Sequence, residues 1–439
     1  MFSRRNRRSK SPELSKAWEC LESGDIPAAI RLLRTAAEEL PPGEVAPVVG
    51  RAAKAVGFDD LEQAAVALAA RPDHAQALFD FGYACVERGL SFLAIPALRE
   101  VLRTNPGRLT VVRELVSAYE REGRHREAAG ELARHEAEFT DWPDRYLLVF
   151  NAVMSGDLAL ARRQHALLPD PEDAMWQPAR DRQNRMLERA VAAQRCGPLD
   201  LSDLRGWQYV IGGTVLGTLS PFGFDAGMAG RYAFLQDTPG QCLRGLQRLR
   251  TLLTAAGVRP RSVSLLPDRG SRILGLAAAE VLDLPAEPFV AGREDTVVVA
   301  YDLNELARED DGPEVIGQLF ERADGQVLHE HASCWTDAPA VTADSVTLLH
   351  QSVLAPWGEQ MRLGADGDVE RGPADDRPEA EIADEITRAD PAADESDGSG
   401  PADHDEAFAA FATAVRGTWL RGDRARLPSA GPVASSRFA

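Results

Sequence analysis

The segment AQALFDFGYACVERGLSFLAIPALREVLRTNP, residues 75–106, reads as two amphipathic helices joined at a glycine. Leu78, Phe81 and Gly82 share one face of the first helix, Ala94 and Leu98 share one face of the second, and Gly89 lies between them. Small side chains at Gly82 and Ala94 let two helices approach closely. Pro106 ends the second helix, because proline lacks an N–H and clashes with the preceding turn. Gly89 belongs to a series: Gly24, Gly57, Gly89, Gly123 and Gly156 stand 33, 32, 34 and 33 residues apart. A constant period of this size marks a solenoid, in which each helix pair buries its apolar face only against its neighbours.

The other copies keep the phase. The first holds Gly24, Ala29, Ala36 and Pro41, the fourth Tyr119, Gly123 and Ala128, and the fifth Gly156 and Ala161 before Pro169 and Pro171. The second keeps Gly50 and Gly57, with its second helix expected to be shifted. These positions resemble the tetratricopeptide repeat (TPR), a helix-turn-helix unit of about 34 residues, over residues 11–195. The resemblance implies that the first helix of each unit lines a groove for a protein or peptide partner. Carried over position by position, the groove shows Leu14 and Trp18, then Phe79, Tyr83 and Glu87, then Arg113, Ser117 and Glu120, then Tyr146, Phe150 and Met154. Trp18, Phe79, Tyr83, Arg113, Tyr146 and Phe150 are its leading residues, suited to a peptide with apolar anchors and a carboxylate. The alternative is that these aromatics pack between helices. A helical stretch at about 176–193 is expected to cap the solenoid.

The chain of 439 residues carries a net charge of −19, unevenly placed. Between Asp366 and Glu406 stand 16 acidic residues against Arg371, Arg377 and Arg388. The rest is only mildly acidic, which argues against broad nucleic-acid binding. Cys20, Cys85, Cys196, Cys242 and Cys334 are scattered and lack CxxC spacing, which suits a reduced cytoplasmic setting. The basic start, residues 1–10, is followed by no apolar core of a signal peptide and is expected to be a disordered tail. Pro221, Asp225 and Arg231 interrupt the apolar residues 210–235, so no membrane span is expected.

After Gly197-Pro198 the pattern changes to that of an α/β domain, residues 200–361. Gly206–Leu219 reads as an extended run and Arg231–Leu235 as a return strand. A helix starts at Thr238-Pro239 and ends at Gly257. Ser262–Leu266 and Thr296–Ala300 read as strands, Pro313–Arg322 as a helix, Gln326–His331 as a strand and Val346–Leu354 as helical. Ligands of such sheets sit beyond strand C-termini, which selects two loops. One is Asp268, Arg269, Gly270 and Ser271, where helical N–H groups could hold an anion. The other carries Asp302 and Glu305. Residues 262–284 look faintly similar to the pyrophosphate loop of phosphoribosyltransferases, but the Thr-Gly turn that family needs after its acidic pair is missing. His329, His331 and Cys334 are close in sequence, yet they read as a polar edge strand, so neither metal nor cofactor is expected, and no catalytic residue is assigned.

Residues 362–402 are expected to be an acidic disordered linker. In residues 403–422 Asp403 can cap a helix on which Phe408, Phe411, Val415 and Trp419 recur at helical spacing. This amphipathic helix is expected to dock on the solenoid in cis or on a partner, with 423–439 a disordered tail. The expected whole is a helical-repeat solenoid of about five helix pairs followed by an α/β domain, acting as a partner-binding scaffold. The alternative is an enzyme or sensor whose α/β domain takes a small phosphorylated or nucleotide-like ligand.

Overall fold

All five glycines of the series have left-handed backbone, with φ between +68° and +84° in the computed structural model. A Cβ on Gly24, Gly57, Gly89 or Gly123 would meet nothing within 4 Å, so the conformation rather than the space selects glycine there. In each copy the next residue's N–H donates to the carbonyl five residues back. The pairs are Asp25 to Cys20 (2.8 Å), Phe58 to Ala53 (2.9 Å), Leu90 to Cys85 (2.8 Å), Arg124 to Tyr119 (2.8 Å) and Asp157 to Ala152 (2.8 Å). This is the closing bond of a Schellman motif. A second helix then starts two residues after every glycine. The pairs are α1 (Pro12–Glu22) with α2 (Ile26–Ala36), α3 (Pro42–Val56) with α4 (Asp59–Ala70), α5 (Ala75–Glu87) with α6 (Ser91–Thr104), α7 (Leu109–Arg121) with α8 (His125–Arg134), and α9 (Tyr146–Met154) with α10 (Leu158–Leu167).

The second helix of the second pair is not shifted, contrary to expectation: α4 follows Gly57 at the same distance as its counterparts. What differs is composition. A Cβ on Gly82 would lie 2.8 Å from Leu98 Cγ, and one on Gly50 would lie 3.2 Å from Ala65 Cβ. Ala65 thus occupies the contact that Leu98 makes in the third pair, and its small side chain hides the pattern from the sequence. The structure describes residues 11–363, 368–391, 396–427 and 431–435, and the basic tail expected at 1–10 lies outside them. The chain divides into two units, Met1–Arg180 and Asp181–Ala439. Among the described residues no helix is long and apolar enough to cross a membrane.

The second unit starts within α11 (Gln177–Ala193). Next come α12 (Leu204–Gly212) and β1 (Val215–Leu216), where an extended run was expected. Trp207, Tyr209, Val210 and Ile211 are all buried, so an apolar run cannot reveal its period. The ends decide for helix: Asp203 accepts the Gly206 N–H at 2.8 Å, and Gly213 closes the helix in the left-handed region. Then follow β2 (Tyr232–Gln236), α13 (Pro239–Ala256), β3 (Ser262–Leu265), α14 (Arg269–Leu282), β4 (Ala286–Pro288), β5 (Thr296–Ala300), α15 (Leu303–Leu306), α16 (Gly312–Leu319), β6 (Val327–Cys334) and β7 (Ser345–Leu354). Seven strands form one parallel sheet in the order β1-β7-β6-β5-β3-β4, with β2 following β1 along the outer edge of β7. Residues 346–354 are therefore strand, not helix, and β6 is an interior strand, not an edge. Both are mostly buried although they carry polar residues, among them His329, Glu330 and His331 in β6, so sequence polarity does not reveal their interior place.

Helix α13 packs on β6 and β7, α14 packs on β3 and β5, and the two helices touch. Helix α13 starts and ends where sequence predicts, with a Thr238–Gln241 capping box and Gly257. The acidic segment contains β8 (Met361–Leu363), β9 (Val369–Arg371) and α17 (Glu379–Arg388), where a structureless linker was expected. Ile382, Ala383 and Ile386 of α17 are buried against α14. Arg272 holds Glu379 through two bonds of 2.7 and 3.0 Å, and Arg269 donates to the carbonyls of Asp375 and Arg377. A three-residue apolar stripe suffices once α14 supplies cations, a fact that composition cannot report. The remaining parts of the linker, 364–367 and 392–395, lie outside the described residues.

Helix α18 (Asp405–Val415) packs on α13, within its own unit. Phe408 is buried beneath the guanidinium groups of Arg205 and Arg248, at 5.3 and 5.1 Å. Phe411 meets Tyr209 edge-on at 5.9 Å, and Trp419 Nε1 donates to the Asp344 carbonyl at 3.0 Å. Asp403 does not cap the helix. It accepts from Arg205 at 2.9 Å and from Arg248 at 2.5 Å. Beyond it, Arg424 binds the buried Asp344 at 2.7 and 3.0 Å, and Val433 is buried, so the described part of the expected disordered tail is tied down.

Candidate functional site

The six groove residues separate into two groups. Arg113 donates to both oxygens of buried Asp144, at 2.7 and 2.9 Å. Tyr146 is buried and stacks on Trp142 at 5.6 Å, with Trp176 at 6.0 Å. Phe150 meets His125 edge-on at 6.0 Å. These three have structural partners in the helix stack. Trp18 and Phe79 are half-buried against the core, and Tyr83 is 46% exposed while stacking on Phe79 at 6.3 Å. One turn beyond Tyr83 on α5, the exposed Glu87 acts on Glu114 of α7, with Arg121 acting on Glu114 in the opposite sense. Burial, and then Glu87, raises the Glu114 carboxyl above its ordinary value.

In the second unit the two candidate loops do come together, but as acids rather than as an anion cradle. Asp268 caps α14 by accepting the Ser271 N–H at 2.8 Å. Ser271 Oγ accepts the Tyr301 N–H at 3.0 Å, and Arg269 is turned toward α17. Asp302 caps α15 through the N–H groups of Asn304 and Glu305, at 2.8 and 3.3 Å. Burial raises the Asp302 carboxyl. Burial and then Asp302 raise Glu305, and burial with Asp302 pushes Glu330 up to about 8. A helix N-terminus already filled by its own carboxylate, next to further acids, does not suit a phosphate.

A second cluster lies where β2 and β5 end, built from four elements. Asp237 follows β2 and Tyr301 follows β5. Cys242 stands in the first turns of α13 on its buried face, and His331 lies inside β6. Asp237 Oδ2 accepts from His331 Nε2 at 3.0 Å, from the Tyr301 hydroxyl at 3.0 Å and from the Cys242 thiol at 3.4 Å. Cys242 Sγ lies 3.7 Å from His331 Nε2. Asp237, Cys242, His331 and Tyr301 are all buried, and the Tyr301 ring stacks on His331 and is covered by Trp357. Gly245 makes the arrangement possible. A Cβ there would sit 2.5 Å from Thr347 Oγ1 and 3.1 Å from His331 Nδ1, so only glycine lets α13 lie this close to β6 and β7.

The cluster holds the residue types of a thiol relay, but not its geometry. A relay needs the carboxylate and the thiol on opposite imidazole nitrogens. Here both approach Nε2, and Nδ1 is buried without a hydrogen bond. Burial, and then Asp237, pushes the Cys242 thiol far up, away from a reactive thiolate. Of the three residues grouped by sequence, His331 joins this cluster, whereas His329 bonds Ser345 and Thr347, and Cys334 contacts Thr336 and Gln351. Asp237 and Cys242 escaped the sequence reading because they lie 94 and 89 residues from His331. The one local signal was Asp237 directly before the Thr238-Pro239 helix start.

No protein-family model matches the chain, and no curated protein matches it. Among solved structures it is similar to MamA of AMB-1, at 22% identity over 36% of this chain and 96% of that one, with a TM-score of 0.24. It is also similar to a thermophilic TPR protein of Thermus thermophilus, at 21% identity over 39% of this chain and 95% of that one, with a TM-score of 0.23. At these scores the likeness assigns neither fold nor function, and the helix pairs stand on their own five repeated turns.

Proposed function

We propose that the helical unit is a docking module of a scaffold protein, and that its contact surface centres on Phe79, Tyr83 and Glu87 of α5 with Glu114 of α7. The observation that carries this reading is the half-exposed Phe79/Tyr83 stack beside two acidic side chains. An aromatic shelf supplies large contact area at low entropic cost, and neighbouring carboxylates favour a cation. The partner is accordingly a peptide segment that pairs an apolar or aromatic anchor with Lys or Arg. The carboxylate that the sequence suggested for the partner is dropped, since Asp144 already occupies Arg113.

Selection of a displayed random-peptide library on the full chain tests this. Enriched peptides should share an aromatic or aliphatic anchor within a few residues of a basic one. They should lose binding to Tyr83→Ala, and Glu87→Lys should shift selection away from basic peptides. Peptides that bind Tyr83→Ala as well as wild type, or the absence of any enrichment, would overturn the reading.

A further inference from the structure

We propose that Asp237, Cys242 and His331 form a structural zinc site in the second unit. Three unlike ligand types converge here, and their spacing is that of one face of a tetrahedron. With Zn–O, Zn–N and Zn–S bonds of about 2.1, 2.0 and 2.3 Å, tetrahedral angles place oxygen and nitrogen about 3.4 Å apart and sulfur about 3.6 Å from each. The observed edges are 3.0 Å for Asp237 Oδ2 to His331 Nε2, 3.4 Å for Asp237 Oδ2 to Cys242 Sγ, and 3.7 Å for Cys242 Sγ to His331 Nε2. Each lies within about 0.4 Å of the tetrahedral value. The three donor atoms are the ones among the described residues that meet within 4.8 Å of one another as a metal-capable set.

The chemistry of the set points to zinc rather than to magnesium or calcium. Thiolate and imidazole are soft and borderline donors, which the hard cations avoid. Without a cation, one carboxylate oxygen must accept three donors, one of them a weak S–H. On binding, Cys242 releases its thiol proton to solvent and becomes thiolate, His331 binds as neutral imidazole through Nε2, and Asp237 binds as carboxylate. No bond is oxidised or reduced. The Tyr301 hydroxyl donates to Asp237 Oδ2 at 3.0 Å and so orients that ligand from outside the metal set. A cleft of about 750 Å3 begins one residue beyond Asp237, bounded by Thr238, Pro239 and Gly240 and by Arg377, Glu381, Asp384, Glu385 and Arg388. The complete burial of the ligands makes the site a staple between α13, β2 and β6, not a reaction centre.

The test uses the full chain, stripped with a chelator and then titrated with Zn²⁺ or Co²⁺. About one equivalent of metal should bind, with a rise in melting temperature. Cobalt should give the intense visible bands of a tetrahedral ion together with a thiolate charge-transfer band in the near ultraviolet. Cys242→Ala should abolish the thiolate band, while Cys334→Ala, the cysteine nearest to His331 in sequence, should leave it unchanged. If Cys242→Ala does not fold, Asp237→Asn, which keeps the side-chain shape, should bind cobalt at least tenfold more weakly. A stripped wild-type chain that melts as before and shows no thiolate band with cobalt would overturn the proposal. Loss of the band in Cys334→Ala with retention in Cys242→Ala would overturn it equally.

Discussion

The helical unit and the sheet unit are held together over different distances along the chain. In Met1–Arg180 each helix pair closes on a glycine turn whose bond spans five residues and packs on its neighbours in sequence. In Asp181–Ala439 the decisive contacts join Asp237 to His331 across 94 residues and Arg205 to Asp403 across 198. The first unit is a sum of small, repeated terms, the energetic signature of solenoids. The second depends on a few buried, charged crossings whose loss leaves buried charge short of its carboxylate partner. The comparison teaches that a mutation's cost in this molecule follows the reach of the contact it removes.

The sharpest way to break this contrast is Asp403→Ala. Arg205 and Arg248 are nearly buried, with side chains 9% and 4% exposed, and Asp403 is the carboxylate that both hold. Burial alone raises the Asp403 carboxyl, and the two guanidinium groups reverse this and hold it low. Removing it leaves buried Arg205 with no carboxylate, only the Leu216 and Gly217 carbonyls, and Arg248 with the exposed Asp405 alone, at a cost of about 3–5 kcal/mol. The expected result is a lower denaturation midpoint for the sheet unit and release of α18, read from increased exchange of its amide hydrogens. A cost below about 1 kcal/mol would place this pair among exposed ion pairs and remove the contrast.

Gly82→Ala comes next. The added methyl meets Leu98 at 2.8 Å, and Leu98 is itself fully buried, so it cannot step aside. Overpacking should cost about 1–3 kcal/mol by chemical denaturation. Gly89→Ala should cost less, about 1–2 kcal/mol, because there is open space and only the left-handed backbone resists. Gly24→Ala and Gly156→Ala should cost the same within error and add when combined. Unequal or non-additive costs among these glycines would show that the repeats are not equivalent units.

Glu114→Gln is the smallest effect. Burial and then Glu87 raise the folded carboxyl. The folded chain therefore keeps this proton to higher pH than the unfolded chain, and stability falls as pH rises through the carboxylate range. The substitution should raise stability slightly at neutral pH, by less than about 1 kcal/mol, seen as a small rise in melting temperature, and leave stability at low pH unchanged. An unchanged melting curve at neutral pH would mean that the acidic face around Tyr83 carries no strain.

The same contrast separates what was legible from what was not. The caps of α13 and the buried strand Thr296–Ala300 were legible because each is written within a few consecutive residues, and the glycine period because the same local turn recurs five times. The helix α12 and the strand β7 were misread because their residues are buried on every side, which erases the difference between periods of 2 and 3.6. The helix α17 was missed because its stability comes from Arg269 and Arg272 of α14, about a hundred residues earlier. Half of the expected groove turned out to be packing: whether Tyr146 faces a partner or Trp142 is not encoded in its spacing.

Sequence by itself determined the repeat and its turns, since a left-handed backbone needs glycine wherever it recurs. It also determined those elements of the second half whose ends are marked locally, such as α13 between Thr238-Pro239 and Gly257, because caps and breakers act locally. Tertiary structure alone decided which apolar faces met, that α18 packs on its own unit, and that Asp237, Cys242 and His331 share one point. Those outcomes depend on how strands are ordered in a sheet, and strand order is set by burial across the whole domain rather than by any neighbouring residue.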